Sequence, residues 1–455
     1  MPKELSKLEV QHLLNRIGFG DSKNVIDSYV GQTSKEILQD QFHISKSYSP
    51  IELNSSTDST LEAFLMSDTK DKREMQKVFR ENIRFLNSSW LGRMANERSG
   101  VLDKMALFWH DHFACSSRNP QFTLSYVQTL RKHALGNFGD LLKAVSKEPA
   151  MLQYLNNQQN RKKAPNENFA REVMELFTLG RDRVYSENDI KEAARAFTGW
   201  GFNRKGDFVF RQFAHDFSDK NFLGKKGNFD GDDILDILLK RKETSDYIAE
   251  KLVAYFVNPE GDSELQDEVS EVLFSSDYDI KETLNALFSN RFFESRNIGV
   301  RIKSPIELIV GTQRINHLKI EDETSLLYLQ RFMGQVLFYP PNVSGWPDGK
   351  SWVDSSTLMF RLNLPDFLFR AGYLTYQPAD SFDANNDLFV NNRLKKLVAT
   401  IDFDSLQSEF EGLSLNTIWN YYNQLPSSLN LSNYEALDLK SKLILVMSQP
   451  EYQLC

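Results

Sequence analysis

Cysteine, glycine and proline are all scarce in this sequence. Among 455 residues there are two cysteines, Cys115 and Cys455, together with 22 glycines and 14 prolines. Two thiols exclude a disulfide framework and a cysteine-rich zinc site. The shortage of glycine and proline disfavours a sandwich or a barrel, because a fold of many short strands needs many turns.

Long apolar runs and an excess of positive charge are missing as well. No stretch approaches the roughly 20 apolar residues of a membrane span, so we expect no membrane association. The net charge of −8 does not favour the basic face that nucleic-acid binding requires, so we expect no nucleic-acid partner. The first residues lead into an amphipathic helix rather than into the apolar run of a signal peptide. We therefore predict a cytoplasmic protein, with export left open if a leader was trimmed.

Familiar catalytic motifs are absent too. The sequence has no nucleophile elbow, phosphate-binding P-loop, dinucleotide fingerprint or HExxH helix. Any chemistry therefore has to come from polar side chains that separate parts of the chain bring together.

Helical periodicity, in contrast, extends along nearly the whole sequence. The one convincing alternation is Phe208 and Phe210 after a turn, which predicts a small β-hairpin over residues 202–213. We predict an all-α fold, a multi-helical domain with one small β-hairpin insertion. Its predicted parts are an N-terminal helical segment and linker (1–60), a central helical domain with the motif cluster (61–377) and a C-terminal helical extension (378–455).

The most informative stretch is residues 165–180, which we interpret as one helix with both ends marked. An asparagine caps its first turn and Gly180 ends it. Glu172 lies at the edge of the apolar arc of this helix, where a carboxylate is partly desolvated unless something pairs with it. Glu175 follows at i+3, so the two carboxylates can share a ligand. We predict that the chemistry of the chain is built near Glu172.

Histidine and aspartate occur together at two places. His110-Asp111-His112 ends an apolar helix, and because its two histidines lie about 200° apart on a helix, only one can point into a given site. The pair His215-Asp216 follows the predicted hairpin, where loops on rigid elements often carry function. In the ordinary alternative the histidines bond backbone carbonyls and the aspartate forms a turn.

These motifs together resemble one large bacterial family of uncharacterised proteins, catalogued as domain of unknown function 1800. The matching stretches span most of the chain in order: residues 12–20, 109–113, 166–180, 194–200, His215-Asp216 with Lys220 and Leu223-Gly224, and 339–347. The resemblance implies an all-helical fold, and genes that often lie beside those of a sulfatase-like companion family. Many members place a histidine where this chain has Phe177, which weakens a role for that position.

Three functions fit these residues. The first is a hydrolase-like enzyme with a carboxylate and histidine cluster and a divalent metal ion as its candidate cofactor. Its candidate catalytic residues are Glu172, Glu175, Arg171 and Arg195. Its candidate metal ligands are His110, His112, His215 and Asp216. The second is an accessory or binding protein for the sulfatase-like companion, in which the polar cluster is a structural network. The third is a metal-free carbohydrate-active enzyme with Glu172 and a second carboxylate as acid and base.

We also expect the three polar segments to converge. His110 or His112 ends an apolar helix, Glu172 or Glu175 interrupts an apolar arc, and His215 or Asp216 follows an aromatic hairpin. Burying one such group without a partner costs a few kcal/mol, so the three groups are most cheaply satisfied by one another, by water or by an ion. The sequence therefore predicts one shared cavity.

Overall fold

The computed structural model describes residues 3–47, 49–53, 69–97, 100–370, 373–374 and 395–455. Helices dominate this part of the chain. In order they are α1 (Lys7–Ile17), α2 (Lys23–Tyr29), α3 (Ser34–Ile44), α4 (Thr69–Asn96), α5 (Leu102–His112), α6 (Pro120–His133), α7 (Phe138–Ser146), α8 (Pro149–Tyr154), α9 (Asn168–Glu172), α10 (Glu187–Ala196), α11 (Gly231–Leu239), α12 (Lys242–Phe256), α13 (Ser263–Ser275), α14 (Ile280–Leu287), α15 (Pro305–Ile315), α16 (Glu323–Met333), α17 (Ser355–Arg370), α18 (Phe403–Phe410), α19 (Leu415–Tyr422) and α20 (Leu439–Met447). Of these described helices, none has both the length and the apolar character that crossing a bilayer requires.

The strands are short and pair in twos. They are β1 (Trp200–Phe202), β2 (Phe208–Phe210), β3 (Lys220–Phe222), β4 (Lys225–Gly227), β5 (Leu318–Ile320), β6 (Tyr373–Leu374), β7 (Lys395–Lys396) and β8 (Ala399–Ile401). The antiparallel pairs are β1–β2, β3–β4, β5–β8 and β6–β7. The all-α class is confirmed, and the predicted hairpin is β1–β2. The other pairs are additions that the sequence did not indicate.

Local capping explains where several helices begin. Ser186 accepts a hydrogen bond from the backbone N–H of Asp189, whose carboxylate accepts one from the N–H of Ser186, so α10 begins at Glu187. Ser304 and Glu307 form the same reciprocal arrangement at the start of α15, with a proline at the first helical position. Each cap contributes about 1 kcal/mol by satisfying backbone donors that a helix start leaves free.

The predicted helix over residues 165–180 continues past α9, but with a different geometry. Val173–Thr178 is a π-helical turn, in which the N–H of Leu179 bonds the carbonyl of Met174, 2.8 Å away. Gly180 then adopts a φ of +86°, which a residue with a side chain rarely adopts, and the helix ends there as predicted. The wider turn changes the direction of the side chains that follow Glu172.

The apolar core is one cluster that extends from Leu5 to Tyr452. Trp90, Trp109 and Trp419 are its largest fully buried side chains. The boundaries predicted near residues 60 and 377 fall outside the described residues, so the division into 1–60, 61–377 and 378–455 stays a prediction.

Candidate active site

Helix α5 ends in three polar residues whose side chains point to different parts of the fold. The first, His110, is fully buried, and its Nε2 accepts a hydrogen bond from the backbone N–H of Phe338 (3.0 Å). The ring of Trp346 meets the His110 ring edge-on, with centroids 5.1 Å apart. Burial lowers the pKa of His110 to about 3, so the ring is neutral. His110 thus fastens the end of α5 to the loop that contains Phe338 and Trp346.

His112 points the other way, as its spacing from His110 predicts. Its Nε2–H donates to the carbonyl of Phe177, 3.2 Å away in the π-helical turn. Aromatic rings surround it: Phe108, Trp109, Phe113, Phe138, Phe177 and Tyr247. Burial above all, with Lys251 as a smaller cause, lowers its pKa to about 3. His112 is therefore a neutral imidazole that ties α5 to the segment containing Glu172.

Asp111, between the two histidines, is only half-buried. Its Oδ1 accepts a hydrogen bond from the backbone N–H of Trp346 at 2.7 Å. Removal from water, reinforced by the negative charge of Asp348, raises the pKa of Asp111 to about 7. Asp111 is therefore a carboxyl group that gains and loses its proton near neutral pH while part of it still reaches solvent.

A glycine makes this contact possible. Gly345 has a φ of +85°, and a Cβ added to it would overlap Asp111 Oδ1 and lie 2.7 Å from the Asp111 carbonyl oxygen. Only a residue without a side chain lets the loop approach closely enough for the N–H of Trp346 to bond the carboxyl. The glycine within Ser344-Gly345-Trp346 therefore positions Asp111.

Asp348 forms the rim of the same site. The residue as a whole is exposed, yet surrounding protein still raises the pKa of its carboxyl, while Arg301 and Lys251 act in the opposite direction. Lys251 is exposed on α12, where Tyr247, Lys251 and Tyr255 lie four residues apart and so share one helix face. The carboxyl groups of Asp111 and Asp348 thus lie at one rim, close to cationic side chains, and their surroundings differ.

Buried charges lie behind this rim. Glu307 Oε1 accepts a hydrogen bond from Arg301 Nη1 (2.7 Å) and another from the ammonium of Lys104. Burial alone would raise the pKa of Glu307, but Arg301 and Lys104 hold it well below its usual range. The Arg301 guanidinium also lies 4.7 Å from the ring centre of the half-buried Tyr255. Such a fully paired triad fixes Arg301 in place beside Asp348.

Glu172 is half-buried, and one of its oxygens is left without a partner. Oε2 is enclosed by protein and accepts no hydrogen bond from any described residue. Burial, and then the charge of Glu175, raises the pKa of Glu172, while Arg181 and Arg171 lower it. This placement agrees with the prediction that the Glu172 carboxylate is partly desolvated at the edge of the apolar arc.

Glu175 is paired instead. It is buried, with its two oxygens on Arg171 (3.2 Å) and Arg181 (3.1 Å). Arg171 also bonds Glu187 with both terminal nitrogens, at 2.9 and 2.8 Å. This network fixes the first turns of α9 against the start of α10, and it leaves Glu172 as the less restrained of the two carboxylates.

Arg195 and Asp216 belong to a separate network at the end of α10. Arg195 Nε donates to Asp216 at 2.8 Å and its Nη1 donates to Glu192 at 2.8 Å. Burial alone would raise the pKa of Asp216, but Arg195 and Ser218 hold it well below its usual range. His215 is buried, and its Nδ1 lies 2.8 Å from the Thr198 carbonyl. These contacts attach the 215–219 loop to α10.

Two of the three predicted segments are joined directly, through His112 and the Phe177 carbonyl. The third segment, His215-Asp216, bonds Thr198 and Arg195. The shared cavity for all three segments stays a prediction. Within the described ranges, no group of three or more His, Cys, Asp or Glu side chains is arranged to hold a metal ion. The contacts described above instead indicate a different candidate site, which is centred on the carboxyl groups of Asp111 and Asp348.

The sequence carries a signal for this cluster, although neither aspartate is among the predicted site residues. Asp111 stands between the two candidate histidines, and Asp348 lies near the end of the loop of prolines, glycines and aromatics over residues 334–349. Loops of that length without regular structure are often functional. The triad of Lys104, Arg301 and Glu307 leaves no such signal, because Lys104 lies about 200 residues before the other two along the chain.

Comparison with known proteins gives one match. A family model described as a protein of unknown function (DUF1800) matches residues 12–454, nearly the whole chain. Neither the curated proteins nor the solved structures contain a significant match.

Proposed function

The chain belongs to the DUF1800 family, and we propose that it is a hydrolase whose acid and base are Asp111 and Asp348. The observation that supports this most directly is the pKa of Asp111, raised to about 7 in a half-buried position beside a second carboxyl group. A general acid works best when its pKa lies near the working pH, because it then both holds a proton and releases it readily.

The surroundings of the two carboxyl groups suggest their roles. Asp111 has the Trp346 N–H as its bonded partner and keeps a proton near neutral pH, so it serves as the acid that protonates a leaving group. Burial raises the pKa of Asp348 as well, but Arg301 and Lys251 oppose this shift, so we assign Asp348 as the base that activates water. Environments that separate the pKa values of two neighbouring carboxyl groups are the pattern by which such roles are divided.

A pair of carboxyl groups is the arrangement that glycoside hydrolysis uses. Chromogenic glycosides are therefore the first substrates to test, followed by esters and phosphodiesters. We expect hydrolysis of a member of this panel, a loss of about a hundredfold or more in kcat/KM for Asp111→Asn, and no such loss for Asp216→Asn. Equal activity of these two variants on the substrate found would contradict the assignment.

Glu172 is the second candidate acid, because its Oε2 is enclosed without a partner among the described residues and its pKa is raised. Glu175, Arg171 and Arg195 would then orient groups around it, although each of them already has ionic partners. Glu172→Gln separates the two assignments. If activity falls with Glu172→Gln and not with Asp111→Asn, the acid is Glu172.

A divalent metal ion remains part of the wider hydrolase hypothesis, with His110, His112, His215 and Asp216 as its candidate ligands. His110 and His112 bond two different parts of the protein and His215 and Asp216 bond a third, so their present contacts do not support that hypothesis. Elemental analysis of the purified protein tests it without a substrate. Stoichiometric metal that is lost in His112→Ala would favour the metal-dependent scheme over the carboxylate pair.

An accessory role beside a sulfatase-like companion is the alternative function. Phe213 and Phe217 are 75% and 55% exposed, which is unusual for phenylalanine and typical of contact surfaces. Binding of the purified companion, weakened by Phe213→Ser and Phe217→Ser together and unaffected by Asp111→Asn, would favour this function over catalysis.

A further inference from the structure

One histidine of the chain is paired with a carboxylate that the protein encloses. The Nε2 of His317 lies 3.0 Å from Oε1 of Glu409, which is 92 residues further along the chain. The Glu409 side chain is 2% exposed, and its Oε2 has no partner among the described residues. The side chain of His317 is 29% exposed, so water reaches one side of the pair. The imidazole is thus the one partner that the described residues offer to this buried carboxylate.

The pair joins two elements that meet at a small sheet. His317 stands between α15 and β5, and Glu409 lies on α18, which begins shortly after β8. Strands β5 and β8 are antiparallel neighbours, and the N–H of Asp402 donates to the carbonyl of His317 at 3.1 Å. The 399–410 segment, which contains β8 and α18, is therefore attached to the turn at His317 both through its backbone and through Glu409.

The groups around His317 favour its charged form. The hydrogen bond to Glu409 is the largest cause that raises the pKa of His317, and burial of the ring acts in the opposite direction. The negative charges of Glu409, Asp402 and Asp21 raise the pKa further. The imidazolium form of His317 is therefore stabilised in the folded protein.

The other ionisable groups that face the pair keep their charge state near neutral pH. Asp21 forms an ion pair with Arg314 at 2.6 Å. Side-chain and backbone hydrogen bonds hold the pKa of Asp402 below its usual range, so it is an anion. Burial raises the pKa of Tyr422 well above its usual range, so its hydroxyl keeps the proton. Because histidine is the side chain that ordinarily titrates between pH 5 and 8, His317 is the group of this set that changes charge.

We propose that His317 and Glu409 form a pH-sensitive latch, which holds the 399–410 segment on β5 while His317 is protonated and loosens it as the proton leaves. The imidazolium supplies both a hydrogen-bond donor and a counter-ion to the enclosed carboxylate. The neutral ring can still donate from Nε2, but the buried charge of Glu409 then lacks its counter-ion, which disfavours the closed state. Leu406 and Phe410 keep the apolar side of α18 in the core. Loss of the latch therefore makes local opening of the segment more frequent and does not detach it.

The direction of the pH dependence follows from the raised pKa of His317. The latch contributes fully below about pH 6.5, the ordinary pKa of histidine, and its contribution is lost as pH rises through the higher pKa of the folded protein. The proposal does not depend on the proposed hydrolase function, because neither latch residue belongs to the Asp111–Asp348 site.

Hydrogen–deuterium exchange of the full-length protein at pH 6 and pH 9, followed by mass spectrometry of its peptides, measures this opening. After correction for the intrinsic pH dependence of exchange, we expect the amides of the 399–410 segment to be about fivefold less protected at pH 9, a modest factor because His317 is partly exposed. Helix α13 is the internal reference and should keep its protection. His43→Gln, at an exposed histidine on α3, is the matched control and should leave the change as it is in the wild type.

Two variants test whether the charge of the pair is the cause. Glu409→Gln keeps the shape of the side chain and removes its charge, so protection of the 399–410 segment should no longer change between pH 6 and pH 9. His317→Lys carries a positive charge at both pH values, so the segment should stay protected at pH 9. A loss of protection at pH 9 as large as that of the wild type, in either variant, would overturn the proposal. Unchanged protection in the wild type, or a loss that extends equally to α13, would overturn it as well.

Discussion

The chain contains the dipeptide His-Asp twice, and the two copies have opposite electrostatic properties. At the end of α5, Asp111 has one backbone donor and a neighbouring carboxyl group, and its pKa is raised to about 7. After β2, Asp216 bonds Arg195 and Ser218, and its pKa is lowered. The same two residues therefore give a proton-exchanging group in one place and a permanent anion in the other, and the partners decide which.

The largest expected effect concerns the loop that positions Asp111. Gly345→Ala introduces a Cβ against the Asp111 carboxyl and carbonyl at a φ of +85°, so we expect it to lower the free energy of unfolding by about 3 kcal/mol. Urea denaturation measures this change. Gly349→Ala is the matched control, since Gly349 also has a positive φ (58°) but open space around it, and we expect a loss of about 1 kcal/mol. Equal losses of stability for the two variants would show that the close approach of Gly345 to Asp111 does not contribute to stability.

The next effect tests the Asp216 side of the comparison. Arg195→Met removes the cation shared by Asp216 and Glu192, which are 17% and 15% exposed, and leaves both carboxylates partly buried without it. We expect the free energy of unfolding to fall by about 2 kcal/mol, less than for a fully buried pair because water screens the charges. Lys251→Met, the same change beside Asp111 and Asp348, should have no resolved effect. A larger loss of stability for Lys251→Met than for Arg195→Met would mean that the cation matters more at the Asp111 site than at the Asp216 site, which is the opposite of our interpretation.

The pH dependence of stability should differ in sign between the two aspartates. The raised pKa of Asp111 means that the folded protein keeps a proton which the unfolded chain loses above about pH 4, so Asp111 contributes stability at low pH that is lost as pH rises towards 7. The lowered pKa of Asp216 contributes stability above about pH 4 that is lost as pH falls further.

Urea denaturation of Asp111→Asn and Asp216→Asn between pH 3 and 8 measures this difference. Relative to the wild type, Asp111→Asn should become more stable by about 1–2 kcal/mol between pH 4 and 7, after allowance for partial exposure. Asp216→Asn should be most destabilising at neutral pH and least so near pH 3. If the stability of each variant relative to the wild type changed with pH in the same way, the two His-Asp dipeptides would have the same electrostatic role.

The fold could be predicted from local patterns because local interactions determine much of it. Apolar periodicity predicted the helices, and the Phe208 and Phe210 alternation predicted β1–β2. The caps at Ser186 and Ser304, which determine where two of the helices begin, are local interactions as well. The π-helical turn over 173–178 could not be predicted in this way, because its extra residue per turn leaves no signature in an apolar helix.

The site was only partly predictable, because its properties depend on contacts between distant segments. The spacing of His110 and His112 correctly predicted that they face different ways. Asp111 was not predicted as a site residue, because its raised pKa depends on burial in the folded protein and on the charge of Asp348, more than 200 residues away along the chain. Side-chain chemistry can be read from a single sequence, but the partners that change a pKa cannot be read without the tertiary contacts.

The smallest expected effect isolates the coupling between the two carboxyl groups of the proposed site. Asp348→Asn removes a negative charge near Asp111, so the pKa of Asp111 should fall by about half a unit. A diazo reagent that esterifies protonated carboxyl groups, followed by mass spectrometry of the Asp111 peptide, gives the midpoint directly. Asp366→Asn, at an exposed carboxylate paired with Arg370, is the control and should leave the midpoint unchanged. Because removal from water is the larger cause of the shift, the midpoint in Asp348→Asn should still lie well above that of an ordinary aspartate. A midpoint that does not move would mean that Asp348 is too far away or too well screened to act with Asp111 as an acid–base pair.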